Sequence, residues 1–255
     1  MAQCLQYNFS TTPYIDSHIH LYEYGEEAEK LCKEIHYIFL AVSDDIQSSL
    51  KTIEIAKKCS NVVPSIGFHP WNVKEPNIDF KQFENIIKTY NVKFLGEVGL
   101  DKKFVSETFN VQLHLFENLV AMAKDYELGL SVHAPNAWRE ALEVLRRSGV
   151  KIAIFHWYTG PAELLREIVN EGFYIGINVA AKIQKKHLEI IKIAPLESIV
   201  TESDGPYNYR GLVLGPAMLP ELIALIAKIK NVDEKTVREA IWRNFYIILK
   251  NVGIC

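Results

Sequence analysis

The chain has 255 residues, 49% of them hydrophobic and 23% charged, and a formal net charge of −3. That balance suits a globular protein with a sizeable core, at a length α/β barrels reach as one domain, so residues 1–255 are expected to form a single domain. A slightly acidic chain excludes bulk electrostatic attraction as the main route to nucleic acid or anionic membrane, while leaving room for a local basic patch.

Short apolar runs at 14–20, 37–42, 62–68, 93–99, 128–133, 151–156, 173–179 and 198–203 read as strands buried on both faces. Helical periodicity fills the intervals. It is clearest over 105–127, where Val105, Phe109, Gln112, Leu113, Phe116, Val120 and Ala123 follow three-four spacing. Another helix opens at Thr159–Glu163, with Pro161 at its first position and Glu163 in its first turn. Two more, at 216–230 and 233–250, close the chain, the last with Asp233 as N-cap. Eight strands alternating with helices predict an α/β fold, a (β/α)8 TIM barrel with additional C-terminal helices. A doubly wound open sheet is the alternative. Its dinucleotide-binding version is disfavoured, because no Gly-x-Gly-x-x-Gly turn follows the first strand.

No apolar run reaches the length of a membrane span, and residues 1–10 lack the charged start and apolar middle of a signal peptide. Cys4, Cys32, Cys59 and Cys255 form no Cys-x-x-Cys pair and read as thiols in a reducing compartment. The expected location is cytoplasmic.

Barrel active sites lie at the C-terminal ends of the strands. The first strand ends in His18 and His20, two imidazoles roughly 7 Å apart on one strand face, shared with Asp16. The third ends in Gly67-Phe-His69-Pro70, the fourth in Gly96-Glu97-Val-Gly99-Leu-Asp101, and the fifth in His133. The sixth ends in His156-Trp157, and the eighth in Glu202-Ser-Asp204-Gly-Pro206. The second and seventh strands are expected to contribute nothing, with Ser43-Asp44-Asp45 serving as a helix cap. Imidazole and carboxylate together suit Zn, Mn, Co or Fe, and a carboxylate-rich edge also tolerates Mg. Glu97 is placed to bridge two ions, with Gly96 and Gly99 leaving room beside it. Asp204 is placed to bind one ion and to take a proton from water.

Glu202 and Asp16 read as buried, hydrogen-bonded acids behind the ligands. His36, His114 and His187 read as ordinary surface or core histidines. His69 is compatible with a ligand, a substrate contact or a structural role, and a substrate contact is preferred. The loop aromatics Trp157, Tyr207 and Tyr209 could stack on bases, and Lys102, Lys103 and Arg210 could contact phosphate.

Six blocks resemble the TatD family of metal-dependent hydrolases in the amidohydrolase superfamily. They are Asp16-Ser-His-Ile-His20, Gly67-Phe-His-Pro70, Gly96-Glu-Val-Gly-Leu-Asp101, Val132-His-Ala134, His156-Trp-Tyr-Thr-Gly160 and Thr201-Glu-Ser-Asp-Gly-Pro-Tyr207. Asn244 resembles that family's C-terminal Asn. The resemblance implies a dinuclear centre: His18, His20, Glu97 and Asp204 around one divalent ion, and Glu97, His133 and His156 around the other. It also implies DNA hydrolysis, of a 3′-to-5′ exonuclease kind. Four positions depart from the family pattern: Pro135 replaces an Arg, Trp157 and Tyr158 replace a small residue and Phe, and Gly176 replaces Ser.

The expected activity is therefore metal-dependent hydrolysis of phosphodiester bonds, with Glu97 and Asp204 as the catalytic carboxylates. His69, Lys102, Trp157, Tyr207 and Arg210 are the expected substrate contacts. The alternative substrate is a small amide, lactone or aminoacyl ester attacked at carbon by the same machinery.

Overall fold

The computed structural model describes residues 12–34, 36–73 and 78–255. Eight strands form one sheet in chain order. They are β1 (Tyr14–Ile19), β2 (Tyr37–Ala41), β3 (Val62–Ile66), β4 (Phe94–Gly99), β5 (Gly129–His133), β6 (Ala153–Phe155), β7 (Tyr174–Asn178) and β8 (Ile199–Glu202). All seven ladders between neighbours are parallel. The sheet curls into a nearly closed barrel. The seam between β1 and β8 is held by Thr201 Oγ1 donating to the Ile15 carbonyl (2.6 Å), the Asp204 N–H to His18 O (2.8 Å) and the His20 N–H to Gly205 O (2.9 Å).

Helices alternate with the strands: α1 (Ala28–Leu31), α2 (Ile46–Lys58), α3 (Phe80–Tyr90), α4 (Phe109–Asp125), α5 (Trp138–Ser148), α6 (Ala162–Asn170) and α7 (Lys185–Ile193). After β8 come α8 (Leu219–Lys230) and α9 (Glu234–Asn251). The run expected as one helix from 105 opens with a 3₁₀ turn, Ser106–Thr108, before α4, and Pro216–Met218 does the same before α8. Pro161 is the N-cap of α6 rather than its first residue, with ψ at 145°. Asp233 caps α9 by accepting the Thr236 N–H (2.7 Å). Strands and helices meet in a continuous core that includes fully buried Phe94, Phe116, Phe155 and Phe245. Each such side chain contributes about 1.5–3 kcal/mol. Asn244 ties α9 beneath β8, donating to Leu196 O and Ile199 O at 2.8 Å each.

Two features lie outside the expected pattern. A small hairpin, β9 (Asn208–Tyr209) paired with β10 (Leu212–Val213), rises from the mouth after β8. Its turn residues Arg210 and Gly211 both have positive φ (53° and 83°), as a two-residue type I′ turn requires. The second feature corrects the thiol reading: Cys32 and Cys59 are joined in a disulfide, with Cα atoms 5.7 Å apart. They follow α1 and α2, whose C-terminal ends lie side by side, so a pair 27 residues apart in sequence becomes adjacent. Cys4 lies outside the described residues. Among those described, no helix is long and apolar enough to cross a membrane.

Candidate metal centre

The strand ends bring His18, His20, His69, Glu97, His133, His156 and Asp204 into one cluster at the barrel mouth. All are buried except His20, which is partly so. Glu97 is central. Its Oε2 lies 3.2 Å from His18 Nε2 and 3.3 Å from His20 Nε2, while its Oε1 lies 2.6 Å from His133 Nδ1 and 3.3 Å from His69 Nε2. Asp204 Oδ1 approaches His18 Nε2 (3.6 Å) and His20 Nε2 (3.4 Å) from the other side. His156 stacks on His18, with centroids 3.6 Å apart, and its Nε2 is 3.9 Å from both Glu97 Oε1 and Asp204 Oδ1.

Among the described residues four sets of possible ligand atoms each lie within 4.8 Å of one another: His18–His156–Asp204, His18–His20–Glu97, His69–Glu97–His133 and, farther out, His20–Glu23–Asp44. Two of them share Glu97. Nitrogen and carboxylate donors converging on one buried spot fit divalent Zn, Mn or Co. His69 therefore sits within ligand range of Glu97 rather than out toward the substrate side alone. The Trp71 N–H donates to His69 Nδ1 (3.1 Å), which leaves the proton of a neutral ring on Nε2, facing Glu97.

The far nitrogen of most of these rings has its own partner. Ser131 Oγ lies 2.8 Å from His18 Nδ1, Asp101 Oδ2 is 2.8 Å from His133 Nε2, and Glu202 Oε1 is 2.9 Å from His156 Nδ1. Such partners fix ring orientation and tautomer. Asp101 also accepts the Trp71 indole N–H (2.6 Å) and the backbone N–H groups of Lys103 and Phe104 (2.7 Å each). Glu202 accepts the Trp157 N–H (2.8 Å), and Asp16 accepts the Ser203 N–H (2.8 Å).

The glycines flanking Glu97 act differently from expectation. A Cβ at Gly99 would lie 1.9 Å from His133 O, and one at Gly96 would lie 2.7 Å from Ser131 Cβ. They let neighbouring strands approach; they do not open space for an ion. Sequence reasoning also missed Asp44. Asp45 alone caps α2, in a capping box with Ser48, while Asp44 turns inward to lie 3.4 Å from His20 Nδ1. β7 contributes Asn178, which donates to Ser203 O (3.3 Å) behind the site.

The charges are strongly coupled. Burial alone would raise the Glu97 carboxyl, but His69, His18 and His133 hold it well below the usual range. Burial opposes the charge on His156, yet Glu202, Asp204 and Glu97 push that ring up to about 9. Burial, reinforced by His156, lowers His18. Asp204 is held low by His156, His20 and His18 against the effect of burial, so its carboxylate stays ionised.

The family profile described as "TatD related DNase" matches residues 15–250. The chain belongs to that family. An uncharacterized metal-dependent hydrolase of Methanocaldococcus jannaschii is 28% identical over 241 residues, covering 91% of this chain and 94% of that protein. A putative deoxyribonuclease TATDN1 homolog of Vairimorpha ceranae is 28% identical over 218 residues, covering 79% and 80%. The crystal structure of YjjV, a TatD homolog of Escherichia coli, superposes with a TM-score of 0.83 at 20% identity, covering 92% of this chain and 97% of that one. This TatD chain is thus a metal-dependent hydrolase built on a TIM barrel.

The residues expected to face substrate in this TatD protein are distributed unevenly. Trp157, with positive φ (42°), donates its indole N–H to Gln184 (2.9 Å) and packs edge-on against Tyr209 and Tyr207. Tyr207 is 43% exposed. Arg210 lies over the Tyr209 ring at 5.2 Å. Lys102 is held elsewhere, its ammonium paired with Glu140 and lying over Phe109. Arg139, a candidate to replace the arginine that Pro135 displaces, is paired with Glu167 (2.8 Å). A groove of about 720 Å³, lined in part by Asn136, Trp138, Thr159, Lys186 and Ile190, opens beside the mouth and includes none of the clustered imidazoles. His187 is a core histidine whose Nε2 accepts the Asn178 N–H (3.2 Å), and His114 is an exposed one.

Proposed function

We propose that this TatD-type hydrolase cleaves phosphodiester bonds in DNA from a 3′ end, using two divalent ions. The observation that carries the reading is the division of Glu97, whose two oxygens face two separate groups of imidazoles. A bridging carboxylate does this in a dinuclear site. In the proposed arrangement His18, His20, Glu97 and Asp204 hold one ion, and Glu97, His133 and His156 the other. His69, whose Nε2–H faces Glu97 Oε1 while its Nδ1 accepts the Trp71 N–H, is a contact to the scissile group rather than a further ligand. When bound, such ions supply a strong water nucleophile at neutral pH and neutralise charge on the attacking and leaving oxygens.

The chain's own groups complete the reaction. Asp204, ionised and aimed at the His18–His20 pocket, takes the proton of the attacking water. Trp157 and Tyr207, at the ends of β6 and β8, offer faces on which a terminal base stacks. Arg210, on the hairpin tip with no carboxylate partner among the described residues, is placed to meet backbone phosphate.

A specific observation favours the second reading, hydrolysis of a small amide, lactone or ester: two cations that follow β4 and β5, Lys102 and Arg139, are already paired with glutamates. The test is cleavage of an end-labelled single-stranded oligonucleotide with Mg, Mn, Co or Zn, beside Asp204→Asn. A metal-dependent ladder shortening from the 3′ end and absent in the variant supports the nuclease. Metal binding without cleavage discards DNA in favour of small esters and amides.

A further inference from the structure

Four of the five clustered imidazoles have an evident partner for the nitrogen turned away from Glu97 or Asp204: Ser131 for His18, the Trp71 N–H for His69, Asp101 for His133 and Glu202 for His156. His20 has Asp44, from the turn after β2. Its Nε2 faces Glu97 and Asp204, while its Nδ1 lies 3.4 Å from Asp44 Oδ1. Both of these atoms are buried and neither makes a hydrogen bond among the described residues, their 3.4 Å approach being an ion-pair contact.

Asp44 is itself firmly placed. Its Oδ2 accepts the Tyr22 hydroxyl (2.5 Å), its N–H donates to Ser48 Oγ (2.9 Å) and its carbonyl accepts the His69 N–H (3.0 Å). The geometry points to Asp44 as a positioning residue for the metal centre: pinned by Tyr22, it holds the Nδ1–H of His20 so that the Nε2 lone pair is presented to a divalent ion. Carboxylate partners of this kind set the tautomer of a ligating histidine and raise its basicity. A rival arrangement would make His20, Glu23 and Asp44 a separate ion site, since their donor atoms lie within 4.8 Å. The Tyr22 hydroxyl, however, lies between the two acids, 2.5 Å from Asp44 Oδ2, which takes its single proton, and 3.2 Å from Glu23 Oε1, and Glu23 is exposed.

The inference rests on the dinuclear reading, so its test measures ion binding and ring tautomer rather than turnover. The full chain, Asp44→Asn, Asp44→Ala and Tyr22→Phe are titrated with Zn against a chelating indicator. Imidazole nitrogen and Nδ1–H resonances are followed by NMR in the Zn-loaded state. Asp44→Ala should weaken one of the two ions about 10–100-fold and lose the His20 Nδ1–H resonance. Asp44→Asn, whose amide oxygen still accepts from Nδ1–H, should stay near wild type, and Tyr22→Phe should fall between. Because Asp45, not Asp44, caps α2, the variants should melt with the parent when metal-free. Unchanged affinity in Asp44→Ala overturns the inference alone. So does loss of a whole ion from both Asp44→Asn and Asp44→Ala, which would make Asp44 a direct ligand. A wild-type chain that binds no divalent ion overturns the dinuclear reading as well.

Discussion

Glu97 Oε2 and Asp204 Oδ1 converge on the same two atoms, the Nε2 nitrogens of His18 and His20, at 3.2–3.6 Å. One carboxylate comes from the middle of the barrel's strand order and the other from its last strand, so each side of the cluster depends on a different part of the chain. Replacing Glu97 by Ala should leave both groups of imidazoles without their shared partner. Metal analysis after dialysis should show fewer than two ions per chain and loss of turnover. Full activity with normal metal content would remove Glu97 from the bridging position.

Asp204 has φ of 58°, a left-handed conformation that Asn tolerates well. Asp204→Asn should therefore fold normally and melt near the parent. Loss of the proton acceptor should lower turnover by about 10²–10⁴-fold. Unchanged rates would take Asp204 out of the chemistry.

Gly176 makes room for the acid behind His156. A Cβ there would lie 2.1 Å from Glu202 Oε2. Gly176→Ala should cost about 1–3 kcal/mol in urea unfolding through overpacking. It should also cut activity more than the stability loss explains, because displacing Glu202 frees the His156 ring. A neutral effect on both would show that Glu202 moves without consequence.

His187 is fully buried, and burial, aided by His156, lowers its pKa from 6.5 to about 3. Below pH 6.5 the unfolded chain takes up a proton there that the folded chain does not. Stability from this group is thus complete above pH 6.5 and is lost as pH falls toward 3, by about 2 kcal/mol at pH 5. Urea unfolding of the metal-free protein at pH 5 and pH 7 should show that slope, and His187→Gln should flatten it. An equal slope in the variant would assign the acid sensitivity elsewhere.

Cys32 and Cys59 close a loop with a sequence separation of 27. Chain-entropy arguments give such a crosslink about 3–4 kcal/mol. Non-reducing peptide mapping of oxidised protein should recover the two cysteines in one linked peptide, and reduction should lower the unfolding midpoint. Separate alkylated peptides would show that the pair stays as thiols.

The strands were legible because parallel strands buried on both faces are near-continuous apolar runs, and each observed strand falls within its expected run. The convergence of His18, His20, Glu97, His133, His156 and Asp204 was legible for a related reason: once the strands are placed, barrel topology fixes where their ends meet. What escaped notice depends on partners distant in sequence. Asp44 and Asp45 look alike in the sequence, and one cap suffices, so nothing there said which acid would turn toward His20. Lys102 looked available until Glu140, 38 residues on, was brought beside it. Gly96 and Gly99 looked like gaps, because the strands pressing on them belong to other parts of the chain.

The backbone bonds closing β8 onto β1 run through Asp204 and His18, and through His20 and Gly205. The clasp of the barrel and the donor cluster are therefore the same few residues. Thr201 reaches Ile15 across a separation of 186 residues, so this joint requires both ends of the fold to be in register. An ion that binds only the finished cluster favours the folded state by mass action, and here it would do so as a rivet through the joint. Loading the centre should thus slow amide exchange first along β1 and β8, far more than in the outer helices.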